Sequence, residues 1–119
     1  MSKKILSSVF LATALSIPMM ATTVKAGEAT CVVKGENNQT LFRDQCVFQQ
    51  FGGNGSFSIQ AKSGLIAGRE SITVYITQPG VAEVRGLTTN GINSRWGEAR
   101  RSNSDKACWV GSDFTICAY

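Results

Sequence analysis

The chain has no histidine. That absence excludes the Ser-His-Asp triad, the Cys-His dyad, histidine metal sites and the histidine pH switch together. It contains no EF-hand loop and no acid cluster at ligand spacing, so neither a metal nor a cofactor is expected. No Gly-x-Ser-x-Gly elbow occurs. Proline occurs only twice and methionine three times. All the methionines, Met1, Met19 and Met20, fall in the first 26 residues. No stretch is long and apolar enough to span about 30 Å of hydrocarbon at 1.5 Å per residue.

Those first residues form a three-part pattern. Lys3 and Lys4 supply positive charge, an apolar run extends from Ile5 to Ile17, and Pro18 breaks it. Val24-Lys25-Ala26 then places small residues at −3 and −1 of a cut. This is the order of a secretory signal peptide, expected over residues 1–26. No cysteine follows the cut directly, so a lipid anchor is not expected. A single domain is expected over the remaining 93 residues, 27–119.

The split changes the charge. The whole chain carries +4. Lys3, Lys4 and Lys25 leave with the leader and no acid does, so nine basic and eight acidic residues remain, a net charge of +1. An exported domain of +1 has little reach toward polyanions, and nucleic acid is not an expected partner.

A domain this small has a marginal core without staples. Its four cysteines, Cys31, Cys46, Cys108 and Cys117, are even in number. Their spacing lacks the C-x2-C pairs of a zinc site, so two disulfides are expected. Three connectivities are possible. Cys31–Cys46 and Cys108–Cys117 are favoured because each pair brackets one candidate hairpin, and each such loop contributes about 3 kcal/mol in the chain-entropy picture.

The rest of the chain reads as strands. Ser71 to Thr77 alternates cleanly, with Ile72, Val74 and Ile76 on one face and Thr73, Tyr75 and Thr77 on the other. Residues 56–61 alternate too. Shorter candidates are 31–33, 41–42, 46–48, 81–87 and 114–119. Turn signals separate them, among them Gly52-Gly53-Asn54-Gly55, Ser63-Gly64, Pro79-Gly80 and Asn90-Gly91. Asn38-Gln39-Thr40 and Asn54-Gly55-Ser56 match glycosylation sequons but are read as turn chemistry. Residues 98–106 are left as a helical turn or a loop. The fold class expected is all-β, a small antiparallel β-sandwich or barrel stapled by two disulfides.

The last hairpin can be read to the residue. If Cys108 faces Cys117, Trp109 pairs with Ile116 and Val110 with Thr115, leaving a four-residue loop, 111–114. A two-residue turn would set the cysteines diagonally, about 7–8 Å apart.

The Ala107-Cys108-Trp109-Val110 and Ile116-Cys117-Ala118 segments resemble the ending of small exported four-cysteine proteobacterial proteins. Cys31-Val32-Val33, Cys46-Val47-Phe48 and Gly55-Ser56-Phe57 extend the likeness. Trp96-Gly97 departs from the Trp-Asn usual there, and the following histidine-containing segment is missing. The resemblance implies export, disulfides and a compact β fold, and it assigns no catalytic residue.

The carboxylates Glu28, Glu36, Asp44, Glu70, Glu83, Glu98, Asp105 and Asp113 each sit in or beside a polar, turn-like stretch, as solvated surface acids do. A small hydrolase would need two of them converging on a cleft. Arg95, Arg100, Arg101 and Lys106 form the one basic cluster, with Trp96 inside it. An exposed, charge-solubilised loop is the plain reading of it. A Trp anchor ringed by arginine hydrogen bonds is the sharper one, and it makes Arg95, Trp96, Arg100 and Arg101 the binding candidates. Trp109, beside a cysteine, is assigned to packing. The expectation is a non-catalytic exported binding protein, periplasmic or secreted, whose partner is a protein, as for an inhibitor, or an envelope glycan. A lectin- or toxin-type subunit of the OB-like kind is the other alternative, with an exposed strand edge driving ring assembly. The oligomeric state stays open.

Overall fold

A computed structural model describes residues 26–119. Apart from Ala26, the leader segment lies outside the described residues. Eight strands follow in order: β1 Ala26–Lys34, β2 Thr40–Phe51, β3 Ser56–Ala61, β4 Ser71–Gln78, β5 Val81–Leu87, β6 Asn93–Arg101, β7 Cys108–Val110 and β8 Thr115–Ala118. Each pairs antiparallel with the next. β8 then pairs with β1, from Cys31↔Ala118 to Lys34↔Thr115, and closes a barrel. Of the two expected all-β architectures this is the barrel, of the up-and-down type.

Alternation explains which side chains fill it. Ile72 and Val74 of β4 are fully buried, while Thr73 and Tyr75 face out. Ala82 and Val84 of β5, Phe57 and Ile59 of β3, Cys31 and Val33 of β1 and Ile116 of β8 join them. Ile59 lies opposite Ile72, and burying each contributes about 1.5–3 kcal/mol. An eight-stranded ring is just wide enough for side chains to fill. Ile66, from the loop between β3 and β4, is also fully buried. A two-residue ladder, Ile66 N–H to Arg69 O at 2.8 Å and its reciprocal at 2.9 Å, holds that loop across one end.

Both bridges form as expected from the hairpins, Cys31–Cys46 and Cys108–Cys117. The last hairpin has the register expected, Cys108↔Cys117, Trp109↔Ile116 and Val110↔Thr115. The two bridges differ in kind. Cys108 and Cys117 are direct partners with Cα atoms 4.0 Å apart. They pack with Val32 on the outer face. Cys31 and Cys46 are diagonal, since Cys31 faces Asp44 and Cys46 faces Ala29, yet their Cα atoms are 5.8 Å apart. Right-handed twist brings one of the two diagonals of a strand pair closer than a flat ladder would. This bridge lies in the core.

Two expectations change. Residues 41–42 and 46–48 belong to one strand, β2, because Arg43-Asp44-Gln45 stay in the ladder with exposed side chains. Residues 98–101 are neither helix nor loop but the end of β6. The asparagine turns are confirmed as turn chemistry around Asn54. Its Oδ1 accepts from Ser56 N–H at 3.1 Å and its Nδ2 donates to Ile76 O at 3.2 Å.

Candidate functional site

β7 and β8 are short, and that leaves a window in the barrel wall. β7 meets β6 only at Arg100 and Arg101. Among the described residues, no strand pairs with residues 93–99 of β6 on that side. Arg101 N–H donates to Gly80 O and so faces β5. Alternation turns the backbone groups of Arg100 and Glu98 the other way. Those of Arg100 meet Val110, and those of Glu98 have no ladder partner.

The turn 111–114 fills the foot of this window with a side chain. Phe114 is buried, and its ring meets the Trp96 indole edge-to-face at 5.6 Å. A Cβ at Gly111 would stand 2.2 Å from that ring, so glycine is needed there. A Cβ at Gly86 would stand 2.8 Å from the indole Nε1, so the floor beneath Trp96 is also glycine. Trp96 is the extra residue of a bulge, since Gly97 faces Val84 and Arg95 faces Arg85. The bulge re-aims it. Trp96 is half-buried against the core.

Outside Phe114 lies a cleft of about 320 Å³. Its walls are Arg95 and Trp96 from β6, Asp113 and Phe114 from the turn, and Lys34, Gly35 and Leu41 from the β1–β2 hairpin. Leu41 is 49% exposed. Arg95 reaches Glu83 at 3.3 Å, and Glu83 also holds Arg85 at 2.8 Å. Among the described residues, Lys34 has no carboxylate partner within 4.0 Å. The Arg69 guanidinium lies 5.6 Å over the Trp96 ring, and its Nε is buried with no hydrogen-bond partner.

The four candidate residues do not converge on one spot. Arg95 and Trp96 share the cleft. Arg100 is on the outer face, paired with Glu98 at 3.2 Å. Arg101 is at the opposite mouth, its guanidinium 5.2 Å over the Trp109 ring. Six residues of strand separate it from Arg95, about 20 Å. Trp109 is in the core, as assigned from sequence. Sequence reading missed Lys34, Leu41, Arg69 and Phe114. Only Phe114 carried a signal, an aromatic closing a glycine-initiated turn.

Glu83 and Glu98 face one another across β5 and β6 on the outer face of the barrel. No carboxylate among the described residues is buried. Glu83 and Glu98 sit within strands rather than in turns, where they hold arginines. No group of histidine, cysteine or acid among the described residues could hold a metal. Among the described residues the one clear pKa shift belongs to Tyr119, which does not line the cleft. The Tyr119 hydroxyl donates to Asp105 Oδ2 at 2.5 Å, and this hydrogen bond, then desolvation, then the Asp105 charge, raise it above the ordinary phenol value, against a smaller lowering by Arg43.

Fold and site together define a small disulfide-stapled, closed up-and-down β-barrel with a cleft where β7 and β8 end short of β6. No protein-family model, curated protein or solved structure matches the chain. No helix among the described residues is long and apolar enough to cross a membrane.

Proposed function

We propose that the protein is a small exported binding module, without catalysis, that contacts its ligand through the window. The observation that carries this is the cleft itself. An aromatic floor, Trp96 and Phe114, lies beside an exposed Leu41, with cations Arg95 and Lys34 on opposite walls. Apolar surface with a few polar groups around it is what a recognition site needs. The two disulfides fit an oxidising compartment, and the leader pattern of residues 1–26 gives the route there. The ligand class is a protein segment or an envelope glycan. The chain has no histidine to activate a nucleophile.

The test is capture of partners from envelope and secreted fractions by the immobilised oxidised protein. Leu41→Asp changes an exposed cleft side chain and Lys34→Glu a half-buried one, and each should abolish capture with the thermal midpoint nearly unchanged. Arg100→Ala, outside the cleft, should capture as the parent does. Capture that survives Leu41→Asp, or that is lost with Arg100→Ala alone, rejects the window.

A further inference from the structure

The window offers backbone as well as side chains. Glu98 turns an N–H and a C=O toward it with no strand to meet them, and the stretch 93–99 runs antiparallel to β5 behind it, interrupted by the bulge at Trp96. A free strand edge is a template for another strand. The reason it is free is local: β7 and β8 stop at the turn 111–114, whose Phe114 ring is buried against Trp96. β8 closes the ring on β1, and shorter unpaired stretches lie at residues 40–45 of β2 beyond β3 and at residues 26–29 of β1 beyond β8. The β6 edge is the one that borders the cleft.

Side chains around this edge indicate what would lie there. Lys34 faces the cleft without a carboxylate partner among the described residues. Arg95, at the far wall, shares Glu83 with Arg85 and keeps a side chain 58% exposed. The single acid in the cleft, Asp113, lies in the turn below. Between the cations lie Trp96, Phe114 and Leu41, all apolar.

We propose that the window is a strand-addition site, where an extended partner peptide pairs its main chain with the free edge of β6 and seats an apolar side chain on Trp96 and Leu41. Acidic side chains flanking that residue face Lys34 and Arg95. The occupant is therefore a protein segment, extended, apolar at its centre and acidic on both sides. This names the partner class for the window and rests on the window being the ligand site. An envelope glycan could fill the same cleft but has no peptide ladder to add. A second copy of this chain would have to bring its own edge to the same place.

Three synthetic peptides test this. The first alternates valine and aspartate around a central phenylalanine. The second replaces the aspartates with lysines. The third keeps the aspartates but carries N-methyl groups on the edge that would face β6. Binding to the oxidised protein is followed by amide and indole shifts in nuclear magnetic resonance. The aspartate peptide should move the resonances of residues 95–98, Leu41 and Phe114. The N-methylated peptide should bind about tenfold or more weakly, as loss of one or two backbone hydrogen bonds requires. The lysine peptide should be weakened similarly, and Lys34→Glu should narrow the gap between the two charged peptides. Equal binding of the N-methylated peptide at the window overturns strand addition and leaves the window as ligand site. Window shifts with a peptidoglycan fragment but with no peptide do the same. Peptide shifts that map elsewhere and ignore Lys34→Glu and Leu41→Asp reject both. A dimer by light scattering that the aspartate peptide cannot dissociate assigns the edge to self-pairing and overturns the peptide proposal.

Discussion

The two ends of the barrel each carry a tryptophan with an arginine laid over it, and they are finished differently. At one end Trp109 is 4% exposed under Arg101. The chain around it is tied: Arg101 Nε donates to Lys106 O at 2.6 Å, Tyr119 donates to Asp105, and the Cys108–Cys117 bridge joins β7 to β8. At the other end Trp96 is half-buried under Arg69, whose Nε has no partner, and β6 runs past the end of β7 unpaired. The same pair of residue types serves a closed end as packing and an open end as surface. What decides is whether the neighbouring strand continues.

The largest expected difference is in the tryptophans themselves. Trp109→Ala leaves a cavity inside a well-tied end and should cost about 3–5 kcal/mol. Trp96→Ala removes a half-solvated ring and should cost roughly 1–2 kcal/mol. In a domain of this size each kcal/mol moves the thermal midpoint by about 4–8 °C. Thermal unfolding of the two variants reads this directly, and equal losses would break the contrast. The glycines at the window come next. Gly111→Ala meets the buried Phe114 ring at 2.2 Å and should cost about 2–3 kcal/mol. Gly86→Ala meets the Trp96 indole at 2.8 Å, but that ring can swing toward solvent, so the cost should be nearer 1 kcal/mol with red-shifted tryptophan emission. Unchanged emission would mean that Trp96 is as fixed as Trp109.

The closed end was the more legible one. Cys108 and Cys117 restrict the hairpin to one register, and a direct pairing leaves a four-residue turn, so the partners of Trp109 and Val110 followed from spacing alone. β3 and β5 were legible to their bounds, β3 from the alternation of residues 56–61 and β5 as a β-branched run between the Pro79-Gly80 and Asn90-Gly91 turns. The open end was not. β6 has an arginine-rich outer face, and its inner period is interrupted by the bulge at Trp96. Neither feature resembles a half-buried strand. Ile66 was hidden for a related reason. It sits in a short Leu65-Ile66-Ala67 run between Gly64 and Gly68, which signal a turn, and it is buried because its loop folds across the barrel mouth. The candidate site was half legible. Arg95 and Trp96 are neighbours in sequence and in the cleft, whereas Lys34, Leu41 and Phe114 arrive from strands that only barrel closure brings near.

A smaller effect tests the tie at the closed end. The Asp105 hydrogen bond raises the Tyr119 hydroxyl above its ordinary value of about 10. The fold thus favours the protonated form. That contribution is whole below about pH 10 and fades as pH rises through the folded value. Denaturant midpoints measured between about pH 9 and 12 should fall more steeply for the parent than for Tyr119→Phe. Parallel curves would show that Tyr119 does not hold Asp105 in solution.

The smallest expected loss, at Arg69, belongs to the most direct comparison, the two arginine caps. Arg101→Met removes the cation over Trp109 and the hydrogen bond to Lys106 O, and together these should cost about 1–2 kcal/mol. Arg69→Met also removes a cation over a ring, a loss of about 0.5–1 kcal/mol. It removes as well a buried N–H that no group satisfies, whose burial costs about 1–3 kcal/mol, while the methionine stem keeps the packing of the arginine stem. The second term is at least as large as the first, so Arg69→Met should be no less stable than the parent in denaturant unfolding. An arginine that contributes so little to the fold yet stays over Trp96 is then explained by the window it borders. If instead Arg69→Met is as costly as Arg101→Met, Arg69 is part of the structure that holds its end of the barrel, and the contrast between a tied end and an open one fails where it is most specific.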